Sequence, residues 1–139
     1  MKISTKGRYA LRVMVDLGLH NSGEYIALKD IAARQNIAIK YMEQIVSALS
    51  KAGYLDSMRG SNGGHKLAMS PSDINVGDIL RTVEGSLALA SVECSAKTEG
   101  IECPLASECS TANFWQGLDK VVSEYIDSFT LQDLLGQQL

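Results

Sequence analysis

The stretch "NIAIKYMEQIVSALSKAGYLDSMRGSNGGHKLAMS", residues 36–70, decides the fold of this 139-residue chain. In its first part, apolar residues recur every three or four positions: Ile39, Met42, Ile45, Val46 and Leu49. This period predicts an amphipathic helix whose apolar stripe faces a core. Gly53 predicts the C-terminal end of that helix.

The rest of the stretch predicts two short strands around the turn "RGSNGG". The Asn62-Gly63 step is a strong hairpin signal because both residues tolerate a positive φ. The wing tip also carries Arg59 and several glycines, which let the backbone come close to a groove wall.

The segment "LKDIAARQN", just before the stretch, predicts a short helix with Ile31 facing inward. Ala32 and Ala33 are expected to permit close packing. Two helices joined by a tight turn at 36–38 form a helix-turn-helix, and a hairpin directly after it makes a winged helix. This architecture predicts DNA binding.

Further helices are predicted on both sides of this region. "STKGRYALRVMVDLGLHNSG" predicts one that begins at Ser4 or Thr5 and stops before Gly23, and "NVGDILRTVEG" predicts one between Asn75 and Gly85. A long helix follows near the C-terminus, and its apolar residues share one face: Phe114, Leu118, Val121, Val122, Tyr125 and Phe129. The sequence does not decide whether this face packs on its own domain or on a second subunit. A last short helix is predicted from Thr130, supported by Asp133.

The composition is that of an ordinary globular protein, with 45% hydrophobic and 21% charged residues. The first apolar stretch, "VMVDLGL", is short and is interrupted by Asp16, so we expect neither a signal peptide nor a membrane span. The expected compartment is a reducing cytoplasm. There, an odd and clustered set of cysteines favours metal or redox chemistry over structural disulfides.

The net charge of −3 hides an asymmetry between the two halves. Residues 1–69 contain ten Lys and Arg against five Asp and Glu, whereas residues 86–139 contain two against eight. A basic front half suits a protein that meets a polyanion through that half. The alternative is a chance segregation of surface charge.

The three cysteines are Cys94, Cys103 and Cys109, spaced C-x8-C-x5-C within sixteen residues. Thiolates are the preferred ligands of iron–sulfur clusters and of zinc. The C-x2-C pair typical of structural zinc sites is missing, which argues against zinc. Three interpretations stay open on spacing alone: a cluster, a zinc site or thiol redox switch, and cysteines without a ligand role.

Three segments together resemble the bacterial IscR-type regulators: "MKISTKGRYAL", "YMEQIVSALSKAGYLDSMRGSNGGHKLA" and "VGDILRTVEG". These are winged-helix transcription regulators, of the family that also contains the nitric-oxide sensor NsrR and the cysteine-metabolism repressor CymR. The resemblance runs from Met1 to about Leu135. It implies a mainly α fold with a small β-hairpin wing and a long C-terminal dimerisation helix. It also implies a homodimer on a pseudo-palindromic operator of double-stranded DNA.

The resemblance further implies an iron–sulfur cluster, 2Fe–2S in preference to 4Fe–4S, held by the three cysteines. In the IscR branch a histidine three residues after the last cysteine completes the ligand set, and this chain has Ala112 there. In the NsrR branch an aspartate near the N-terminus does so, and this chain has Arg8 there. Neither His20 nor His65 is a natural substitute by sequence position. The fourth ligand therefore stays open. It could be an exogenous water or thiol, or one of the local candidates Glu93, Glu99, Glu102, Glu108, Ser110, Thr111 and Asn113.

The resemblance assigns DNA contacts as well. Tyr41, Glu43 and Gln44 match the base-reading positions of the family, and Lys40 stands where well-known cluster-binding regulators carry a small polar residue. Other expected contacts are Arg59 in the minor groove, Ser61 and Asn62 at the wing tip, and Lys6 and Arg8 on phosphates. Without the wing and the resemblance, the residues from 40 to 44 would equally suit a solvated helix face.

The expected organisation is a winged helix-turn-helix domain over 1–85, a cysteine-containing loop over 86–111, and a dimerisation helix with a tail over 112–139. The expected function is an iron–sulfur-sensing regulator that represses or tunes cluster-assembly genes. One alternative is a nitric-oxide or redox sensor of the same fold, and another is an iron–sulfur scaffold or carrier without specific DNA binding. We expect no enzyme, because neither histidine has an evident Cys or Asp neighbour and no phosphate-cradling glycine motif occurs.

Overall fold

A computed structural model describes residues 3–87 and 110–136 of the chain. The helices in these ranges are α1 (Thr5–Leu19), α2 (Leu28–Gln35), α3 (Ile39–Lys51), α4 (Val76–Glu84), α5 (Ala112–Asp127) and α6 (Leu131–Gly136). The strands are β1 (Leu55–Met58) and β2 (Gly64–Leu67), and a short 3-10 turn spans Pro71–Asp73. The predicted fold class, mainly α with a small β-hairpin, is confirmed. The three cysteines lie outside the described residues.

The first helix is capped from two directions. Its N-cap residue Ser4 accepts a hydrogen bond from the amide of Lys6 through Oγ, at 3.2 Å. The carboxylate of Glu84, the last residue of α4, accepts bonds from the Ser4 amide, the Ser4 hydroxyl and the Gly7 amide, at 2.9, 2.6 and 2.9 Å. A Cβ at Gly7 would collide with that carboxylate. Amides that open helices usually lack partners, so Glu84 both satisfies α1 and joins it to α4.

A buried carboxylate fixes α2 on α1. Asp16 is only 2% exposed, and it is the one charged side chain in the core of the described residues. Arg34 of α2 donates two hydrogen bonds to it, at 3.0 and 2.7 Å, and Gln35 donates a third at 2.9 Å. Burial alone would raise the pKa of Asp16. These hydrogen bonds and the charge of Arg34 outweigh burial and lower its pKa below the usual value.

The core agrees with most of the predicted apolar positions. Met42, Ile45, Val46 and Leu49 of α3 are at most 2% exposed. The prediction for Ile39 is wrong: it is 47% exposed, because it is the first residue of α3 and points away from the core. In α2, Ile31 and Ala32 are buried as predicted.

Ala33, in contrast, is exposed and contributes no close packing. The turn into α3 places Asn36 at φ 53°, a left-handed conformation that asparagine tolerates better than most residues.

The wing is an antiparallel pair with the register Leu55 to Leu67 and Ser57 to His65. Residue Ile26, just before α2, joins as a third short element. Its amide donates to the carbonyl of His65 at 2.9 Å, and the His65 amide donates back to the carbonyl of Ile26 at 2.8 Å. A Cβ at Gly64 would collide with the Ile26 carbonyl, which explains the glycine at this crossing.

The hairpin was predicted correctly, but the reason given for it was wrong. Asn62 and Gly63 do not have a positive φ, which instead occurs at Gly60 (117°) and Gly64 (157°). The turn closes through a bond from the Gly63 amide to the Gly60 carbonyl at 3.0 Å. Gly63 is needed for space, because a Cβ there would collide with the carbonyl of Met58.

The C-terminal elements fold back onto the start of α4. The amide of Leu131 donates to the carbonyl of Ile74 at 2.8 Å, and the Val76 amide donates to Phe129 at 3.0 Å. Arg81 binds both carboxylate oxygens of Asp127, at 2.7 and 2.9 Å. These contacts hold the C-terminal end of α5, and α6 then packs against α1.

The predicted start of α6 is confirmed. The amide of Thr130 donates to the Asp133 carboxylate at 2.8 Å, and the Asp133 amide donates back to the Thr130 hydroxyl at 3.3 Å. Leu131 is fully buried in the main core. Within the described residues, no helix combines the length and the apolar character needed to cross a bilayer.

Removing Arg34 and removing the charge of Asp16 should lower the free energy of unfolding by different amounts. Arg34→Ala leaves a buried carboxylate without its main partner and should lower the free energy of unfolding by about 2–3 kcal/mol at pH 7, towards the low end for buried pairs because Arg34 is 35% exposed. Asp16→Asn keeps one acceptor oxygen and leaves an arginine that water can reach, but its NH2 group must face a donor of Arg34 or Gln35. It should therefore cost about 1–2 kcal/mol, less than Arg34→Ala. Urea denaturation measures both values.

The same pair should give an acid-side pH dependence. Because folding lowers the pKa of Asp16, its contribution is present above the unfolded pKa of about 3.9 and is lost as the pH falls below it. Arg34→Ala should flatten this dependence. An unchanged acid limb in that variant would contradict the assignment.

Candidate nucleic-acid interface

The outer face of α3 gathers most of the predicted base-reading residues. Lys40, Glu43, Gln44, Ser47 and Lys51 are all exposed, because the buried residues of α3 occupy its other side. Such a face presents a cation, a carboxylate and an amide within two turns of helix. A helix of this width fits the major groove, where an amide can pair with adenine and a carboxylate can accept from cytosine.

Tyr41 differs from its neighbours because it is half-buried. Its ring makes an edge-to-face contact with Tyr9 of α1, with centroids 5.7 Å apart, and the guanidinium of Arg12 lies 5.3 Å from the Tyr9 ring centre. Arg12 in turn donates to the side chain of Gln35 at 3.1 Å. Tyr41 therefore also positions α3 against α1.

The wing tip carries the remaining predicted contacts. Arg59 follows the last residue of β1, and Ser61 and Asn62 follow within the turn. All three are exposed. A guanidinium at this place suits the narrow minor groove beside the major groove that α3 would enter.

The N-terminus of α1 needs a correction. Lys6 is half-buried and Arg8 is exposed, so both offer cations there. The amides of Ser4 and Gly7, however, are already bound to the Glu84 carboxylate. Phosphate contacts at this end would therefore rest on the cationic side chains and not on free helix amides.

Comparison with known proteins agrees with this architecture. The sequence profile of the Rrf2 family, described as an iron-dependent transcriptional regulator, matches residues 3–137. This chain belongs to the Rrf2 family. Protein rrf2 of Nitratidesulfovibrio vulgaris is 38% identical to it over 135 residues, which cover 97% of this chain and 87% of that protein. The regulator IscR of Vibrio atlanticus is 36% identical, over 97% of this chain and 75% of that protein.

Solved structures extend the likeness to the fold. The structure of T. potens IscR matches with a TM-score of 0.77 at 38% identity, covering 100% of this chain and 89% of that one. The structure of CymR, the global cysteine regulator of B. subtilis, matches with a TM-score of 0.79 at 35% identity, covering 100% and 99%. The chain is accordingly an Rrf2-family transcription regulator with a winged-helix fold.

The fit of this Rrf2 chain to a metal cluster depends on its cysteine segment. Within residues 3–87 and 110–136, no group of three or more His, Cys, Asp and Glu side chains could hold a metal ion. The donor set outside these ranges, three thiols, has the chemistry that iron–sulfur clusters require. Ala112, which stands where the IscR branch places its histidine, is the first residue of α5.

Both histidines have partners inside the winged-helix half. His65 contacts Ser57 in the wing, with Nδ1 2.7 Å from Oγ. His20 lies at the end of α1, its Nδ1 3.6 Å from the carboxylate of Asp16. The expectation that neither histidine has an Asp neighbour is therefore wrong for His20. That carboxylate is already bound by Arg34 and Gln35 of α2. The hydrogen-bonding contact of the His20 Nδ1 atom is with the backbone carbonyl of Asp16, at 2.8 Å.

Proposed function

We propose that this regulator binds operator DNA as a homodimer and changes its DNA affinity in response to an iron–sulfur cluster on Cys94, Cys103 and Cys109. The observation that carries the DNA-binding part is the exposed polar face of α3, together with an exposed arginine in the wing. The wider proposal includes repression or tuning of cluster-assembly genes, as the likeness to IscR suggests.

The DNA-binding part of the proposal rests on two surfaces, the exposed face of α3 and the wing, which would contact different grooves. On the exposed face of α3, Glu43 and Gln44 can read base edges, and Lys40 and Lys51 can bind phosphates. Arg59 of the wing can enter the neighbouring minor groove. The basic balance of residues 1–69 favours contact with a polyanion.

The dimer part rests on the apolar stripe of α5. Phe114, Val121 and Tyr125 are 64, 62 and 66% exposed, although they lie on one side of a helix whose C-terminal end is firmly held. Only Ile126 of α5 is buried within the described residues. A contiguous apolar helix face of this kind is typical of a subunit interface, and pseudo-palindromic operators require two recognition helices.

The cluster part rests on the thiol set and on its connection to the DNA-binding half. The cysteine segment leaves α4 directly after Glu84, and Glu84 holds the first turn of α1. Cluster binding can alter DNA affinity only by the difference in free energy that it makes between two arrangements of these helices. Glu84 offers a physical route for that difference.

A nitric-oxide or redox sensor of the same fold is the second candidate. The departure at Ala112 suggests it, since a cluster without the usual histidine would have an exchangeable or oxygen-ligated iron, but the relatives do not favour it over an IscR-like regulator. An iron–sulfur carrier without specific DNA binding is not favoured, because the relatives are transcription regulators.

Measurements of operator affinity and of its salt dependence should distinguish base-reading residues from phosphate-binding residues. Sequences enriched from a random DNA library by the purified protein serve as the operator. Glu43→Ala should relax discrimination at one base pair, by about 1–3 kcal/mol. Lys40→Ala should weaken binding to all sequences and lower the salt slope by about one. Lys120→Ala on α5 is the control and should change neither quantity. Failure to enrich any sequence would favour the carrier.

The three cysteines should each be needed for a coloured protein. Visible and Mössbauer spectra of the anaerobically purified protein should show a cluster. Each of three single variants should contain much less iron than the wild-type protein: Cys94→Ser, Cys103→Ser and Cys109→Ser. Alanine variants of Ser110, Thr111 and Asn113 test the fourth ligand by a changed spectrum with iron retained. A thiol switch would leave the wild-type protein colourless, and equal operator affinity with and without the cluster would exclude cluster sensing.

Charge placed on the apolar stripe of α5 should break the dimer. Val121→Lys should shift the sedimentation coefficient to that of a monomer, because a buried unpaired ammonium is costly. Gln116→Lys adds the same charge to the opposite side of α5 and should leave the dimer intact. A monomeric wild-type protein, or a dimeric Val121→Lys variant, would contradict this interface.

A further inference from the structure

The inner face of the wing changes character along its length. Leu55 and Leu67 are paired across the strands and buried in the core. Side chains two residues further along a strand return to the same face, so Ser57 and His65 occupy it nearer the wing tip. Asp56 and Lys66 lie on the opposite face. The half of the wing that faces α3 is therefore apolar at its base and polar towards its tip.

A chain of hydrogen bonds connects this polar pair to α3. The Nδ1 atom of His65 lies 2.7 Å from Oγ of Ser57, and that oxygen lies 2.8 Å from Oγ of Ser50 on α3. Burial lowers the pKa of His65, so the imidazole is neutral near pH 7. A neutral Nδ1 can either accept from Ser57 or donate to it, and a hydroxyl both donates and accepts, so the whole chain can be satisfied in either direction.

The space beside the chain is open and not packed. A cavity of about 280 Å³ lies between α3 and the wing, lined by Glu43, Val46, Ser47, Lys51 and the three members of the chain, with Leu28 of α2. Side-chain packing between α3 and the outer half of the wing is therefore incomplete. The hydrogen-bond chain connects the two directly at this place.

We propose that the Ser50–Ser57–His65 chain positions the wing relative to the recognition helix, so that Arg59 and α3 can engage adjacent grooves at once. Arg59 begins only two residues after Ser57, so a rotation of β1 moves its guanidinium directly. His65 also fixes β2 to the segment before α2, through its two backbone hydrogen bonds to Ile26. This inference rests on the proposed DNA binding and makes Ser50, Ser57 and His65 positioning residues and not base contacts.

A double-mutant cycle tests the chain. Arg59→Ala should reduce affinity for the enriched operator by about tenfold in the wild-type background. In the Ser57→Ala background the same substitution should reduce affinity less than about threefold, because an Arg59 that is no longer held in position already contributes little to DNA binding. Ser72→Ala is the matched control: it removes one hydroxyl from another exposed serine pair, Ser70 and Ser72 at 2.9 Å, outside the wing. The full Arg59 effect should persist in that background.

Rescue separates positioning from general stability. The amide of Asn can occupy the place of Nδ1, whereas that of Gln matches Nε2. His65→Asn should therefore keep the Arg59 effect, and His65→Gln should lose it. A second readout needs no DNA: hydrogen exchange of the amides at 58–63 should accelerate in Ser57→Ala and not in Ser72→Ala.

The outcomes distinguish the inference from the proposed function. If Arg59→Ala weakens operator binding equally in all backgrounds and exchange at 58–63 is unchanged, the positioning role is overturned while DNA binding stands. If no sequence is enriched at all, the proposed function fails, and the inference fails with it. Loss of the Arg59 effect in Ser57→Ala and His65→Gln, with retention in Ser72→Ala and His65→Asn, supports both.

Discussion

The contact between Asp16 and Arg34 is the constraint on which the arrangement of α1, α2 and α3 depends. A fully buried carboxylate is tolerated only with strong donors, and here α2 supplies three hydrogen bonds from two adjacent residues. These bonds fix both the distance and the rotation of α2 on α1. The turn at Asn36 then leads directly into α3. The direction in which the polar face of α3 points thus follows from a side-chain network one helix away.

The second constraint is the closure of the chain at α4. The N-cap residue of α4, Asn75, is bridged to Thr130 and donates to the carbonyl of Asp127, while the last residue of α4, Glu84, caps α1. A helix of nine residues therefore touches the beginning and the end of the described fold. The proposed cysteine segment enters directly after this helix. A change in the position of α4 would be transmitted both to α1 and to the base of α5, without any need for a long path through the core.

Local signals predicted the elements well, because caps and apolar periods act over a few residues. Ser4, Asn75 and Thr130 all cap helices where the sequence indicates. The errors arose where a residue's role depends on distant neighbours. Ile39 satisfies the apolar period of α3, yet the turn at its start directs it to solvent.

The wing and the α1–α2 contact show the same limit. Gly63 and Gly64 of the wing are explained by the carbonyl groups of Met58 and Ile26, the latter far away in sequence. The Asp16 network could not be predicted, since an Asp, an Arg and a Gln at these spacings usually lie on a surface. The Ser57–His65 pair could have been predicted from strand alternation, had the register of the hairpin been known. Sequence periodicity specifies which residues share a face, but not which face another element covers.

The fold of this Rrf2 chain does not by itself decide what it senses. It matches IscR and CymR structures almost equally well, with TM-scores of 0.77 and 0.79. Any difference in what these proteins sense must therefore come from residues that differ between them within the same fold. In this chain those are three thiols, together with Ala112 and Arg8 at the positions where two branches supply a fourth ligand. A cluster with three thiolates and one weak or external ligand would exchange that ligand more readily than a fully protein-ligated one. For the cluster proposed above, the departures at Ala112 and Arg8 would thus favour a responsive cluster over a permanent structural one.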